Sequence, residues 1–210
     1  VAKWALANDV VIQSYSWTDD QFSATVDQTC PATATFQIPL VLIQTGANLG
    51  FAGGNNVGLR FLQQFCDFEY AFLLNNDALL SRGAIREMVT RFELQPAVGM
   101  CGCTVVYQHT PSEVQALGGA HFQPWLGRSR HIGAHTSVDA PRDKEAVEAQ
   151  LDYILGAALM ISRRCLDSIG LMEEAYFLYY EEIDWATRAR RAGFKLAYSP
   201  SAVIFHKEGG

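Results

Sequence analysis

From about residue 38 onward, short apolar runs alternate with stretches whose apolar residues recur every three or four positions, the signature of an α/β domain. "IPLVLIQT" (38–45) reads as a buried strand, and "EYAFLLNND" (69–77) as a second strand that runs out into polar residues. "NNVGLRFLQQF" (55–65) between them reads as a helix. A β-α-β unit of this length predicts two parallel strands, with the helix crossing over one face. Ser81 is placed to cap a following helix whose apolar positions Ala84, Ile85, Met88, Val89 and Phe92 form one stripe, with Pro96 beyond its end. "VGMCGCTVVY" (98–107) and "LDYILGAALMIS" (151–162) are further strands. Residues 111–142, rich in Gly, His and aromatic residues without a sustained period, read as hairpins and loops at a site mouth. A short helix through Cys165 is stopped by Gly170, a longer one ends at Gly193, and "KLAYSP" and "AVIFHK" read as two last strands. Residues 1–37 are the least patterned part, and nothing there reads as a strong opening strand.

The 210 residues, 49 % of them hydrophobic, suffice for one compact domain, so the whole chain reads as a single domain with 38–210 as its recognisable core. A net charge of −6 argues against nucleic acid as a partner, although Arg188, Arg190 and Arg191 offer local positive charge. Five cysteines without paired zinc spacing suit a reducing compartment. No run approaches the ~20 apolar residues of a membrane span. These features predict a cytoplasmic protein; peripheral association of a longer parent protein with the inner face of a membrane is compatible with them. Oligomeric state is not legible.

Candidate chemistry gathers at the ends of the predicted strands. "LLNNDALL" delivers Asn75, Asn76 and Asp77 to the carboxyl end of a strand, where open α/β sheets bind ligands and where Asp77 can hold a hard cation; a plain turn is the competing explanation. "NLGFAGGNNVG" (48–58) opens a helix with glycines at 50, 53 and 54, which suits an anion at the helix start or simply a glycine-rich connection. His206 ends another apolar run. In "FLYYEEIDWATRARRAG" (177–193), Asp184 has Arg188 four residues on, a sufficient structural explanation. Glu181 and Glu182 have no such partner, and either the helix dipole or a proton-transfer role accounts for them.

Taken in order, "NLGFAGGNNVG", "AFLLNNDALL", "LGAALMISRRCLDSIGLMEEAYFLYYEEIDWATRARRAGFKLAYSP" and "VIFHKEGG" resemble the family 2 glycosyltransferases, in particular their rhamnosyltransferase-like branch. The resemblance implies a GT-A fold with a mostly parallel central sheet flanked by helices. It also implies a nucleotide-diphosphate sugar donor, a divalent cation (Mn or Mg), a saccharide or lipid-linked saccharide acceptor, and inversion at the anomeric carbon, in the service of cell-surface polysaccharide synthesis. By position it assigns Asp77 and His206 to the metal and Glu182 to the general base, a Glu where the family has Asp. It places Asn48, Gly50, Gly54, Asn55, Asn75, Asn76 and Gly156 on the donor side, and Glu181 and Trp185 on the acceptor side. The family's opening strands, with their Asn-x-Asn-like turn and Asp-Asn-x-Ser-x-Asp motif, are not legible in residues 1–37, where "SYSWTDDQ" is a faint echo. The expectation is that these nucleotide-binding strands are absent or diverged. Two other readings remain: a non-catalytic saccharide- or nucleotide-binding module derived from a transferase, and a sugar-1-phosphate nucleotidyltransferase, which would want a basic glycine-rich loop near its start.

Overall fold

The computed structural model describes residues 12–26 and 40–207. The chain forms two compact units, 1–66 and 67–210.

The described part of the first unit holds strands β1 (Ile12–Thr18), β2 (Gln21–Val26) and β3 (Leu40–Gln44) and helix α1 (Gly50–Phe65). β1 pairs antiparallel with β2 and parallel with β3. Residues 12–26 are therefore a hairpin, where sequence predicted no strand. Asp19 and Asp20 both take positive φ (50° and 58°), the left-handed geometry of a tight two-residue hairpin turn that short polar side chains tolerate. The alternation of Tyr15 and Trp17 with Ser14, Ser16 and Thr18 sets which face packs. Trp17 meets Phe22 at 4.4 Å and Tyr15 meets Phe61 at 4.9 Å; Phe61 and Phe65, one helical turn apart on α1, close the cluster at 4.9 Å. α1 begins at Gly50 rather than at Asn55, so Gly53 and Gly54 lie within its first turns. β3 is half-buried, not a fully buried strand, and its hydrogen-bonded neighbour is β1. Residues 1–11 and 27–39, on which other expectations for the chain's start fall, lie outside the described residues.

The second unit holds β4 (Tyr70–Leu74), β5 (Ala78–Leu80), α2 (Ala84–Leu94), β6 (Val98–Tyr107), β7 (Val114–Leu117), β8 (Gly119–Gln123) and β9 (Arg128–His131). It continues with α3 (Lys144–Glu148), β10 (Tyr153–Ile154), β11 (Ala158–Ser162), α4 (Arg163–Ile169), α5 (Glu181–Arg191) and β12 (Lys195–His206). Its six-stranded sheet runs β4-β11-β6-β12-β5, with β7 also paired to β6. β6/β12 is the parallel pair; β4/β11, β11/β6, β12/β5 and β6/β7 are antiparallel. Within this unit the sheet is mixed, and β4 takes β11 as its antiparallel neighbour.

β6 is buried along its whole length, which is why "VGMCGCTVVY" reads as a near-continuous apolar run. Ala84, Met88 and Phe92 of α2 cover it. The start of α2 is capped by Gly83 in the left-handed region (φ 86°), not by the Ser81 side chain, and Ile85 is half exposed. The predicted strand 151–162 is interrupted by a turn at Gly156 and Ala157, and the two predicted last strands are one, with a register break between Ser199 and Val203 around Pro200. Gly102 and Gly119 mark close backbone approaches: a Cβ would lie 2.1 Å from the Gly118 oxygen and 2.0 Å from the Tyr153 oxygen, respectively. The first contact seats the start of the separate three-stranded sheet β10-β8-β9 against β6 of the main one, and the second brings β8 and β10 together within it.

Candidate active site

β4 ends at Leu74, and Asn75, Asn76 and Asp77 make a tight reversal into β5. The Asn75 N–H donates to the Ala157 carbonyl (3.1 Å), and the Asn75 carbonyl accepts from the Ala78 N–H (3.1 Å). β5 then pairs with β12 so that Ala78 stands opposite His206, while the Lys207 N–H donates to the Asp77 carbonyl at 3.2 Å. Sheet register therefore brings Asp77 and His206 together from positions far apart in the chain.

The polar geometry here is unbalanced. His206 Nδ1 lies 2.9 Å from Gln115 Oε1, an oxygen that can only accept, so Nδ1 carries a proton and Nε2 is the ring nitrogen turned toward Asp77. That Nε2 is 3.2 Å from Asp77 Oδ1 and 3.4 Å from Asn75 Nδ2. Asp77 Oδ1 is buried and makes no hydrogen bond, so its closeness to Nε2 is an electrostatic contact without an aligned donor. A buried carboxylate oxygen without a hydrogen bond, held beside an imidazole nitrogen, calls for a positive centre there. A carboxylate oxygen and an imidazole nitrogen suit Mn or Mg, and a histidine whose other ring nitrogen is fixed by a hydrogen bond is the usual form of a ligand. No group of three or more His, Cys, Asp or Glu side chains gathers among the described residues, so protein ligation there would rest on this pair.

Gln115 was not foreseen. It is 2 % exposed and is the extra residue of a β-bulge, since Val105 pairs with Ala116 and Val106 with Val114. Only the bulge turns its side chain toward His206, and "EVQAL" carries no sign of it.

The second cluster stands at the start of α5. Tyr179 and Tyr180 precede it with φ of 72° and 73°, uncommon for such side chains, and Glu181, Glu182 and Asp184 occupy its first turn. The three acids separate cleanly. Asp184 accepts from Arg188 Nε at 2.8 Å, and the same guanidinium donates to the Leu171 carbonyl at 2.8 Å, tying α5 to the end of α4. Glu181 is 1 % exposed, and its Oε2 has no partner. The half-buried Glu182 has its carboxyl pushed up to about 7, first by burial and then by the neighbouring Glu181 charge, against backbone N–H donation from its own residue and from Gly156. Burial here outweighs the helix dipole, which favours the ionised form. The Tyr153 phenol is also raised, chiefly by burial, against a hydrogen bond to Ser129 and with a smaller push from Glu182.

The two clusters meet at one turn. Gly156 gives its N–H to Glu182, and the adjacent Ala157 gives its carbonyl to Asn75. Trp185, by contrast, is fully buried, with its indole N–H on the Gly170 carbonyl at 2.8 Å. That burial takes it out of contact with any acceptor and makes it a core residue. Asn76 is exposed beside Asp77. Asn48, Gly50, Gly54 and Asn55 belong to the first unit: the Asn48 side chain accepts from the Gly50 N–H at 3.0 Å, and Asn55 Nδ2 donates to the Phe51 carbonyl at 2.9 Å. A cleft of about 710 Å³ bordered by Phe68, Tyr70, Phe92 and Arg163 lies at the far end of β4, where Arg163 is paired with Asp67 and Asp167; it has no part in these clusters.

The sequence profile of the glycosyltransferase-like family 2 matches residues 10–209. The chain belongs to this family. A hexosyltransferase of low-salt glycan biosynthesis, Agl10 of Haloferax volcanii, is 29 % identical over 79 % of the chain and 51 % of its own length. The N-acetylglucosaminyl-diphospho-decaprenol L-rhamnosyltransferase of Mycobacterium tuberculosis is 26 % identical over 84 % of the chain and 62 % of its own length. The chain thus spans between half and two thirds of these relatives. Among solved structures, GalNAc-T7 with UDP, GalNAc and Mn2+ aligns with a TM-score of 0.59 at 13 % identity, over 80 % of the chain and 32 % of that protein. A Pyrobaculum calidifontis mannosyltransferase with GDP-Man and Mn2+ aligns at 0.52 and 15 % identity, over 81 % of the chain and 40 % of that protein. The family 2 chain has the GT-A fold that its motifs implied.

Proposed function

We propose that this family 2 chain transfers a sugar, with inversion, from a nucleotide-diphosphate sugar to a saccharide or lipid-linked saccharide acceptor, at the cytoplasmic face of a membrane and for a surface glycan. The observation that carries the reading is the Gly156–Ala157 turn, which joins a carboxyl poised near neutrality to the Asn-Asn-Asp reversal with its unpartnered Asp77 oxygen. The relative named for a decaprenol-linked substrate supports a lipid-linked acceptor.

In this mechanism the ionised Glu182 takes the proton of an acceptor hydroxyl as that oxygen bonds to the anomeric carbon and the bond to the diphosphate breaks on the opposite face. A sugar hydroxyl is too weak an acid to ionise first, so proton transfer accompanies attack, and a base with its pKa near the working pH is the efficient one. Gly156 holds the carboxylate by its N–H, and Glu181 keeps it basic. Asp77 and His206, with Gln115 fixing the ring, would hold a divalent cation, whose charge offsets that of the leaving diphosphate.

Two measurements test the reading. Glu182→Gln should lower turnover by about 10²–10⁴-fold with nucleotide affinity nearly unchanged. Calorimetry with UDP and GDP should show binding that needs Mn2+ and disappears in Asp77→Ala. Full turnover in Glu182→Gln refutes the base assignment, and saccharide binding without nucleotide binding favours a non-catalytic module.

A further inference from the structure

The β8–β9 hairpin carries a surface that none of the site chemistry uses. Its tip exposes Trp125 at 99 % and Leu126 at 63 %. Segment 176–180 adjoins it and leaves Phe177, Leu178 and Tyr179 exposed. The Tyr180 hydroxyl donates to the Gly127 carbonyl at 3.3 Å, and the Tyr180 ring meets Phe122 edge-on at 6.0 Å, so two apolar segments form one patch. The hairpin is also basic. Its pairing sets Gln123 opposite Arg128 and His121 opposite Arg130, on the face away from Phe122 and Ser129. Both arginines are exposed, without an ion pair among the described residues. Asp152, the carboxylate beside the hairpin, is already engaged by His121 (2.7 Å), Arg190 (3.1 Å) and the Phe122 N–H (2.8 Å), so it does not cancel them.

A convex tip of Trp and Leu backed by arginines matches the boundary of an anionic bilayer. There an indole sits between chains and headgroups, and guanidinium groups pair with lipid phosphates. We propose that this hairpin and segment 176–180 dock onto an anionic lipid surface, Trp125 and Leu126 entering the interface and Arg128 and Arg130 lying on the headgroups. Tyr180 immediately precedes Glu181, so docking sets the start of α5 against the bilayer; its use for a lipid-linked acceptor rests on the transferase reading above, whereas docking itself does not.

Vesicle flotation tests docking without turnover. The chain should float with vesicles containing phosphatidylglycerol and much less with pure phosphatidylcholine. Trp125→Ser with Leu126→Ser should cut partition at least about tenfold. Arg128→Gln with Arg130→Gln should cut it by a similar factor and remove most of its salt dependence. Trp125→Phe should abolish most tryptophan quenching by brominated lipid. The inference is overturned if the wild type fails to float, if either pair leaves partition unchanged, or if Trp125→Ser with Leu126→Ser instead dissolves a lipid-free dimer. Turnover of a water-soluble acceptor, measured in parallel, should be unchanged in both pairs; an inactive wild type that still floats counts against the transferase reading alone.

Discussion

Replacing Glu182 by Gln probes the site through stability as well as turnover. In the folded chain this carboxyl ionises near 7, against 4.5 for an unperturbed glutamate. The folded state therefore binds more protons than the unfolded one between these values, and stability falls as pH rises through that window. At 1.36 kcal/mol per unit, the full cost of ionising Glu182 in place is about 3 kcal/mol. Gln does not titrate, so this term vanishes in the variant. Urea unfolding at about pH 5 and about pH 8.5 should show the variant gaining about 2.5 kcal/mol on the wild type between the two conditions. The absolute difference at either pH also contains packing and hydrogen-bond changes, notably at the Gly156 N–H, but these do not depend on pH. A difference that is the same at both pH values would refute the claim of a strained, half-buried base. A change of the opposite sign would mean that Glu182 is stabilised as an anion.

The neighbouring positions give further expected outcomes. Glu181→Gln removes the like charge that raises Glu182, so the acid limb of the kcat profile should move to lower pH; an unmoved limb would show that Glu181 does not act on the base. Gln115→Leu frees the His206 ring and should weaken Mn2+ binding by about 10–100-fold in calorimetry with nucleotide present, with Gln115→Glu restoring much of it; equal affinity would remove Gln115 from the metal's support. Gly102→Ala forces a Cβ to 2.1 Å from the Gly118 oxygen and should lower stability by about 3 kcal/mol in urea titration; a near-neutral result would mean that β6 and the β7–β8 turn part freely.

Much of the second unit was legible because its elements carry their own periodicity and punctuation. β6 read as a strand from ten apolar or small residues in a row, and α4 and α5 ended where Gly170 and Gly193 take positive φ. The Asp184–Arg188 pair followed from helix spacing and is present. Other features were hidden because partners, not local pattern, decide them. β3 and β4 read as a parallel pair by length alone, but β4 pairs antiparallel with β11, a strand far along the chain that no local pattern singles out. The β1–β2 hairpin was passed over because its turn is Asp-Asp rather than Asn-Gly; the alternation of Tyr15 and Trp17 with serines was the available signal. The family resemblance set Trp185 on the acceptor side, whereas the Gly170 carbonyl holds its N–H inside the core. Gln115 depends on a bulge register, and no spacing within one strand reveals that.

The turn at Gly156 and Ala157 has a consequence for engineering. One of its residues steadies a carboxylate on α5, and the next steadies the reversal that ends in Asp77. A displacement of this backbone moves both ends of the site at once. Substitutions beside the start of α5 and substitutions at Asn75 should therefore behave epistatically: paired variants should depart from the sum of their single effects although the altered side chains never touch. Directed evolution of either end would advance fastest by varying the turn together with both of its clients.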